Sequence, residues 1–161
     1  MNNIGLKIEE TFLSRAVEKA SPLRLLLSNR EKLSGIITFA GRYDINVNSG
    51  GTLVTLPKKE IASVTPDTEL LEPSFFGATL ETVSDVSRSR VQDEFLNRYI
   101  KEKTLALFSF NSGDEIRGVV EGYDGFTISV RTSRGQVLLY KHGIRGIGPG
   151  YRRHSGKDDA R

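Results

Sequence analysis

The sequence predicts a mainly β protein made of two copies of one unit, each an α-helix followed by five short strands that curl into a small, strongly bent barrel. Three observations carry this. At an offset of 83, residues 8–67 align with 91–150 without a gap and share eleven identities, and six further positions are matched in apolar character. In both copies a helical period gives way to a period of two. A glycine, Gly35 or Gly118, interrupts the second strand of each copy, where a sheet bends sharply or bulges.

Each element follows from its local pattern. Phe12, Leu13, Ala16, Val17 and Ala20 make one helical stripe; Phe95, Leu96, Tyr99 and Ile100 make the second, with Gln92, Asp93 and Glu94 supplying acidic and capping groups at its start. The strands of the first copy are expected at 23–27, 32–40, 43–48, 52–56 and 61–65. Ser28-Asn29-Arg30, Gly41-Arg42 and Ser49-Gly50-Gly51 are the turns between them. The second copy repeats them at 105–110, 115–123, 126–131, 136–141 and 144–147, with turns at Ser112-Gly113-Asp114, Asp124-Gly125 and Ser133-Arg134-Gly135. A barrel of this size buries only a modest share of its surface, so edge-to-edge association is its natural remedy.

The expected organisation is therefore a first domain at 6–66, a linker at 67–91, a second domain at 92–150 and a disordered basic tail at 151–161. The linker is acidic but carries Leu70, Leu71, Phe75, Phe76 and Leu80, more apolar surface than a free tether needs. Part of it should lie against a domain, and the Phe75-Phe76 patch is a candidate for a protein partner.

Composition excludes several chemistries. The chain of 161 residues has no Cys and two His, so it offers no disulfide framework, no thiol nucleophile, no Cys/His metal cluster and no implied cofactor. A Gly-rich phosphate loop is also missing, which makes an enzyme the least favoured reading. The start of the chain has no basic-then-apolar leader, and no run approaches a membrane span, so a cytoplasmic protein without membrane contact is expected. Its net charge of +3 comes from basic excess in the first third and the tail. That permits nucleic-acid binding without requiring it.

The stretch Gln92-Asp93-Glu94-Phe95-Leu96-Asn97, followed at Leu139-Tyr140-Lys141-His142-Gly143-Ile144 by a second motif, resembles the bacterial Hfq family of Sm-like RNA chaperones, which write these motifs Gln-Asp-x-Phe-Leu-Asn and Tyr-Lys-His-x-Ile. Copy one keeps the scaffold with a degraded motif, Leu56-Pro57-Lys58-Lys59-Glu60-Ile61. The resemblance implies an SH3-like barrel with an N-terminal helix, and rings of six units closed by pairing the fourth strand of one unit with the fifth of the next. Two units per chain then imply a pseudo-hexameric homotrimer.

It also implies binding of uridine-rich single-stranded RNA on the helix-bearing, proximal face, as an RNA chaperone or post-transcriptional regulator. In copy two the pocket would use Gln92, Phe126, Lys141 and His142: the ring to stack a base, Lys141 and His142 to meet base carbonyl or phosphate, and Gln92 to read a pyrimidine edge. Phe126 could equally serve the core, and Tyr140 is assigned to strand pairing. Copy one offers Glu9, Tyr43, Lys58 and Lys59, which predicts alternating, unequal pockets. On the opposite face the purine-stacking aromatic is replaced by Ser109 and Leu26, and the rim arginine cluster becomes Ile100-Lys101-Glu102-Lys103 with Arg98 one turn earlier, and Arg15 and Lys19 in copy one. A structural or protein-interaction ring that has lost RNA binding is the alternative.

Overall fold

A computed structural model describes residues 7–77 and 91–150; the side chains of 77 and 91–94 fall outside that description. The helix α1 (Ile8–Lys19) is followed by β1 (Pro22–Leu27), β2 (Lys32–Ala40), β3 (Asp44–Ser49), β4 (Thr52–Pro57) and β5 (Ile61–Pro66). A short helix α2 (Pro73–Gly77) lies in the linker, and the second unit comprises α3 (Val91–Glu102), β6 (Leu105–Phe110), β7 (Glu115–Tyr123), β8 (Thr127–Thr132), β9 (Gly135–Tyr140) and β10 (Ile144–Pro149). The expected fold class is the one observed: two Sm-like units of one helix and five strands. Among the described residues no helix is long and apolar enough to cross a membrane.

The two units share details beyond element order. Ala20 and Lys103, 83 positions apart, both adopt positive φ (48° and 54°) one residue past their helices, the left-handed stop that lets trailing N–H groups close on the last turn. In α1 the Ala20 N–H reaches the carbonyls of Ala16 and Val17. The β2–β3 and β7–β8 ladders slip at the same place, between Ile37 and Phe39 and between Val120 and Gly122. Each slip bends the long second strand so that it serves two sides of the barrel. Gly35 and Gly118 are glycine because the third strand crosses so closely: a Cβ on Gly35 would stand 2.8 Å from Val47 Cγ1, and one on Gly118 2.7 Å from the Arg131 carbonyl oxygen.

Four of the strand boundaries that differ from expectation are linked by one contact. Tyr43 and Phe126 precede β3 and β8 rather than beginning them. The fourth strands end at Pro57 and Tyr140, and one turn of 3-10 helix (Lys58–Glu60, Lys141–Gly143) separates each from the fifth strand. The Lys58 and Lys141 N–H groups donate to the Tyr43 and Phe126 carbonyls at 2.8 Å, which ties each aromatic to the tight turn and holds it off the strand.

The two units meet strand to strand. β5 of the first pairs antiparallel with β9 of the second, Ser63 opposite Leu139 and Val64 opposite Leu138. The described strands thus form one ten-stranded sheet, ordered β10-β6-β7-β8-β9-β5-β1-β2-β3-β4. The join is apolar and tight: Ile61, Ala62, Val64, Leu138, Leu139 and Tyr140 are all buried.

The linker reinforces it. Gln136, buried on β9, accepts from the Leu70 and Leu71 amides at 3.0 Å, and its side-chain amide donates to the Leu71 carbonyl at 2.9 Å. Arg131 reaches Glu69 and Glu121 at 3.0 and 2.7 Å, while Arg15 on α1 donates to the Leu70 carbonyl and pairs with Glu72. Leu70, Leu71 and Phe76 are buried against the chain itself and Phe75 is half-buried. The expected docking of linker on domain is observed, and it covers most of the apolar surface that suggested a protein partner. Leu80 and the tail at 151–161 lie outside the described residues.

Candidate functional site

A cleft of about 1260 Å³ opens beside the β5–β9 join, on the side of α1. The first unit lines it with Glu9, Tyr43, Lys58 and Lys59, and the second with Phe126, Tyr140 and His142. Tyr43 and Phe126 are 74% and 70% exposed, so neither ring belongs to the core; the turn before each third strand presents it outward. The Arg42 guanidinium lies 5.7 Å from the Tyr43 ring centre, close enough for cation–π attraction.

Asp124 builds the Phe126 turn. One of its carboxylate oxygens accepts from the Phe126 and Thr127 amides and the Thr127 hydroxyl at 2.7–2.9 Å. The other accepts from the Glu9 amide at 2.9 Å, at the start of α1, where helix N–H groups lack internal partners and favour an anion. A residue that the sequence marks only as a turn former therefore also clamps one unit to the other.

Glu9 is the charge at the floor of the cleft. Its Oε2 accepts from the Tyr140 hydroxyl at 2.7 Å and pairs with Lys58 Nζ at 3.1 Å. Burial, then the nearby Glu9 charge and the hydrogen bond to it, push the Tyr140 phenol well above its ordinary pKa, so Tyr140 stays a neutral donor. Its ring stacks on His142 with centres 5.3 Å apart and planes 22° from parallel. His142 Nε2 lies 2.9 Å from the Ile61 carbonyl oxygen, which can only accept; the ring nitrogen therefore carries the proton and donates.

The four residues expected to form one pocket in copy two are divided between places. Phe126 and His142 face the first unit across the join. Lys141 is not among the cleft-lining side chains: its Nζ sits 4.9 Å from the Tyr123 ring centre, beside α3. Gln92 is on α3 with its side chain outside the described residues. Lys58, the counterpart of Lys141, holds Glu9, the counterpart of Gln92. The cleft thus takes Glu9, Lys58 and Tyr43 from the first unit, and Phe126 with His142 from the second. Periodicity within one copy contains no sign of this sharing. Arg15, read from the sequence as a rim cation, is instead committed to the linker.

Comparison with known proteins agrees with the motifs. The family described as Hfq protein matches residues 91–153. The RNA-binding protein Hfq of Bacillus thuringiensis (strain Al Hakam) is 41% identical over 54 residues, which are 34% of this chain and 73% of that protein. The same figures hold for the RNA-binding protein Hfq of Bacillus cereus (strain B4264). A 1.55 Å crystal structure of the pleiotropic translational regulator Hfq aligns with a TM-score of 0.35 and 30% sequence identity, covering 37% of this chain and 98% of that one. Two barrels with Sm-like strand order, the paired helix and Tyr-Lys-His motifs, and relatives matched over most of their length lead to one assignment: the chain belongs to the Hfq family.

Proposed function

We propose that the protein is an RNA-binding Sm-like ring protein that takes short uridine-rich single-stranded RNA on its helix-bearing face, as an RNA chaperone or post-transcriptional regulator. The observation that carries this reading is the pair of exposed rings, Tyr43 and Phe126, on a cleft that also holds Lys58, Lys59 and His142. Flat apolar faces beside cations and hydrogen-bond donors suit unpaired bases on a phosphate backbone, since stacking serves any base and the polar groups add selectivity. The relatives' name, RNA-binding protein Hfq, supports it.

The functional unit in this reading is a homotrimer in which domains at 6–66 and 92–150 alternate around a ring of six. The 83-residue offset then gives two kinds of cleft. The cleft within each chain has Glu9 and Lys58 at its floor. The cleft between chains combines Gln92, Phe126 and Lys141 of one copy with Tyr43 and Lys59 of the next, and its neutral amide suits a uracil edge better than a carboxylate does.

Fluorescence anisotropy with labelled six-nucleotide uridine and adenine RNAs, at low and near-physiological salt, tests the proposal. Uridine binding that survives the higher salt and exceeds adenine binding is expected. Equal, salt-sensitive binding to both would reduce the protein to a nonspecific polycation binder, and no binding would make the ring a scaffold.

A further inference from the structure

Among the described residues the ten-stranded sheet ends in two unpaired edges, β4 and β10. They are a fourth and a fifth strand, the same two kinds that pair internally as β9 and β5. The internal join therefore serves as a template for how β4 of one copy meets β10 of another. Shifted by 83 residues, its register places Gly146 opposite Leu56 and Ile147 opposite Thr55.

The template also shows where the two joins must differ. Inside the chain, Gly143 of the 3-10 turn packs on Ala62: a Cβ there would stand 3.3 Å from both Ala62 Cα and Cβ. A side chain here would press on Ala62 from its first carbon. The offset carries Gly143 onto Glu60 and Ala62 onto Arg145. Both are exposed, and neither has an ion-pair partner among the described residues. At the edges of one chain stand two opposite charges whose backbones the template brings into contact.

We propose that a second copy of this chain docks β4 on β10 with Glu60 of one copy paired to Arg145 of the next, and that this ion pair distinguishes the joins between chains from the join within them. The inference rests on the ring reading above. Like charges at this point would oppose docking, whereas the corresponding spot of the internal join, with Gly143 and Ala62, carries no charge. The pair thus gives assembly a direction and makes it sensitive to ionic strength.

Sedimentation of the full chain over a concentration series tests this with Glu60→Arg, Arg145→Glu and the double variant. Each single reversal is expected to raise the trimer midpoint concentration at least about tenfold, with the double variant within about threefold of wild type. At about 1 M salt, where the screening length is ~3 Å, the wild-type midpoint should rise and the single-variant midpoints should fall. Single reversals without effect, or a double variant as weak as the singles, would overturn the ion pair while leaving the ring intact. A wild-type chain that stays monomeric throughout would overturn the ring reading and the pair with it.

Discussion

The hydroxyl of Tyr140 donates to Glu9 Oε2 at 2.7 Å across 131 residues of sequence, joining the end of β9 to the first turn of α1. This bond joins the two units at the cleft, to which both residues contribute. Tyr140→Phe should lower stability by about 1–2 kcal/mol, because a largely buried carboxylate loses one of its two donors. Urea denaturation followed by circular dichroism reads the loss, and an unchanged midpoint would mean that the join does not depend on this bond.

Gln136→Ala should cost more, roughly 2–4 kcal/mol, since it leaves the Leu70 and Leu71 amides and the Leu71 carbonyl without their buried partner. It should also release the linker. Limited proteolysis is expected to cut near residues 68–77 in the variant well before the wild type is touched.

The two glycines Gly118 and Gly125 provide a matched contrast. Alanine at Gly118 would drive its Cβ into Val130 and the Arg131 carbonyl, while at Gly125 nothing lies within 4 Å. Calorimetry should show Gly118→Ala destabilised by about 1–3 kcal/mol and Gly125→Ala close to wild type.

Phe126→Ala and Tyr43→Ala should each weaken uridine-rich RNA binding by about 1–3 kcal/mol, the worth of one stacked base, with little change in melting temperature because both rings are exposed. Lys141→Ala should weaken binding at least about tenfold and Lys58→Ala less. Equal losses from the two lysines, measured by anisotropy, would contradict unequal clefts.

Acid should loosen the linker. A backbone hydrogen bond at its own position, then the Arg15 guanidinium, hold the Glu72 carboxyl below its ordinary pKa. A depressed folded-state pKa contributes stability that is present above the unfolded value and is lost as pH falls through the folded one, here below roughly pH 4. Glu72 is exposed, so the effect is small. Glu72→Gln should lower the linker's protease resistance slightly at neutral pH, towards the level the wild type reaches in acid, and so flatten the acid limb.

Much of this architecture is legible in the chain. The repeat, the ten strands and most turns follow from alternation and from Gly and Asp placement, because each depends on neighbours a few residues apart. The 3-10 turns at Lys58 and Lys141 are not legible: three residues leave no period, and what fixes them is a carbonyl on the turn before the third strand. Phe126 is ambiguous for a similar reason, since a ring at a strand boundary can face either way until the turn built by Asp124 decides. The β5–β9 join brings together residues far apart in the chain, which no local pattern reports. The motif residues were therefore identifiable individually, while their division between adjoining units was not.

β5 and β9 pair within a single polypeptide. Two untethered barrels would meet at a rate and extent set by how many are present, whereas a short linker holds its ends at an effective concentration of about a millimolar. The cleft of Tyr43, Phe126 and His142 is thus a first-order property of the chain, carried intact through any dilution.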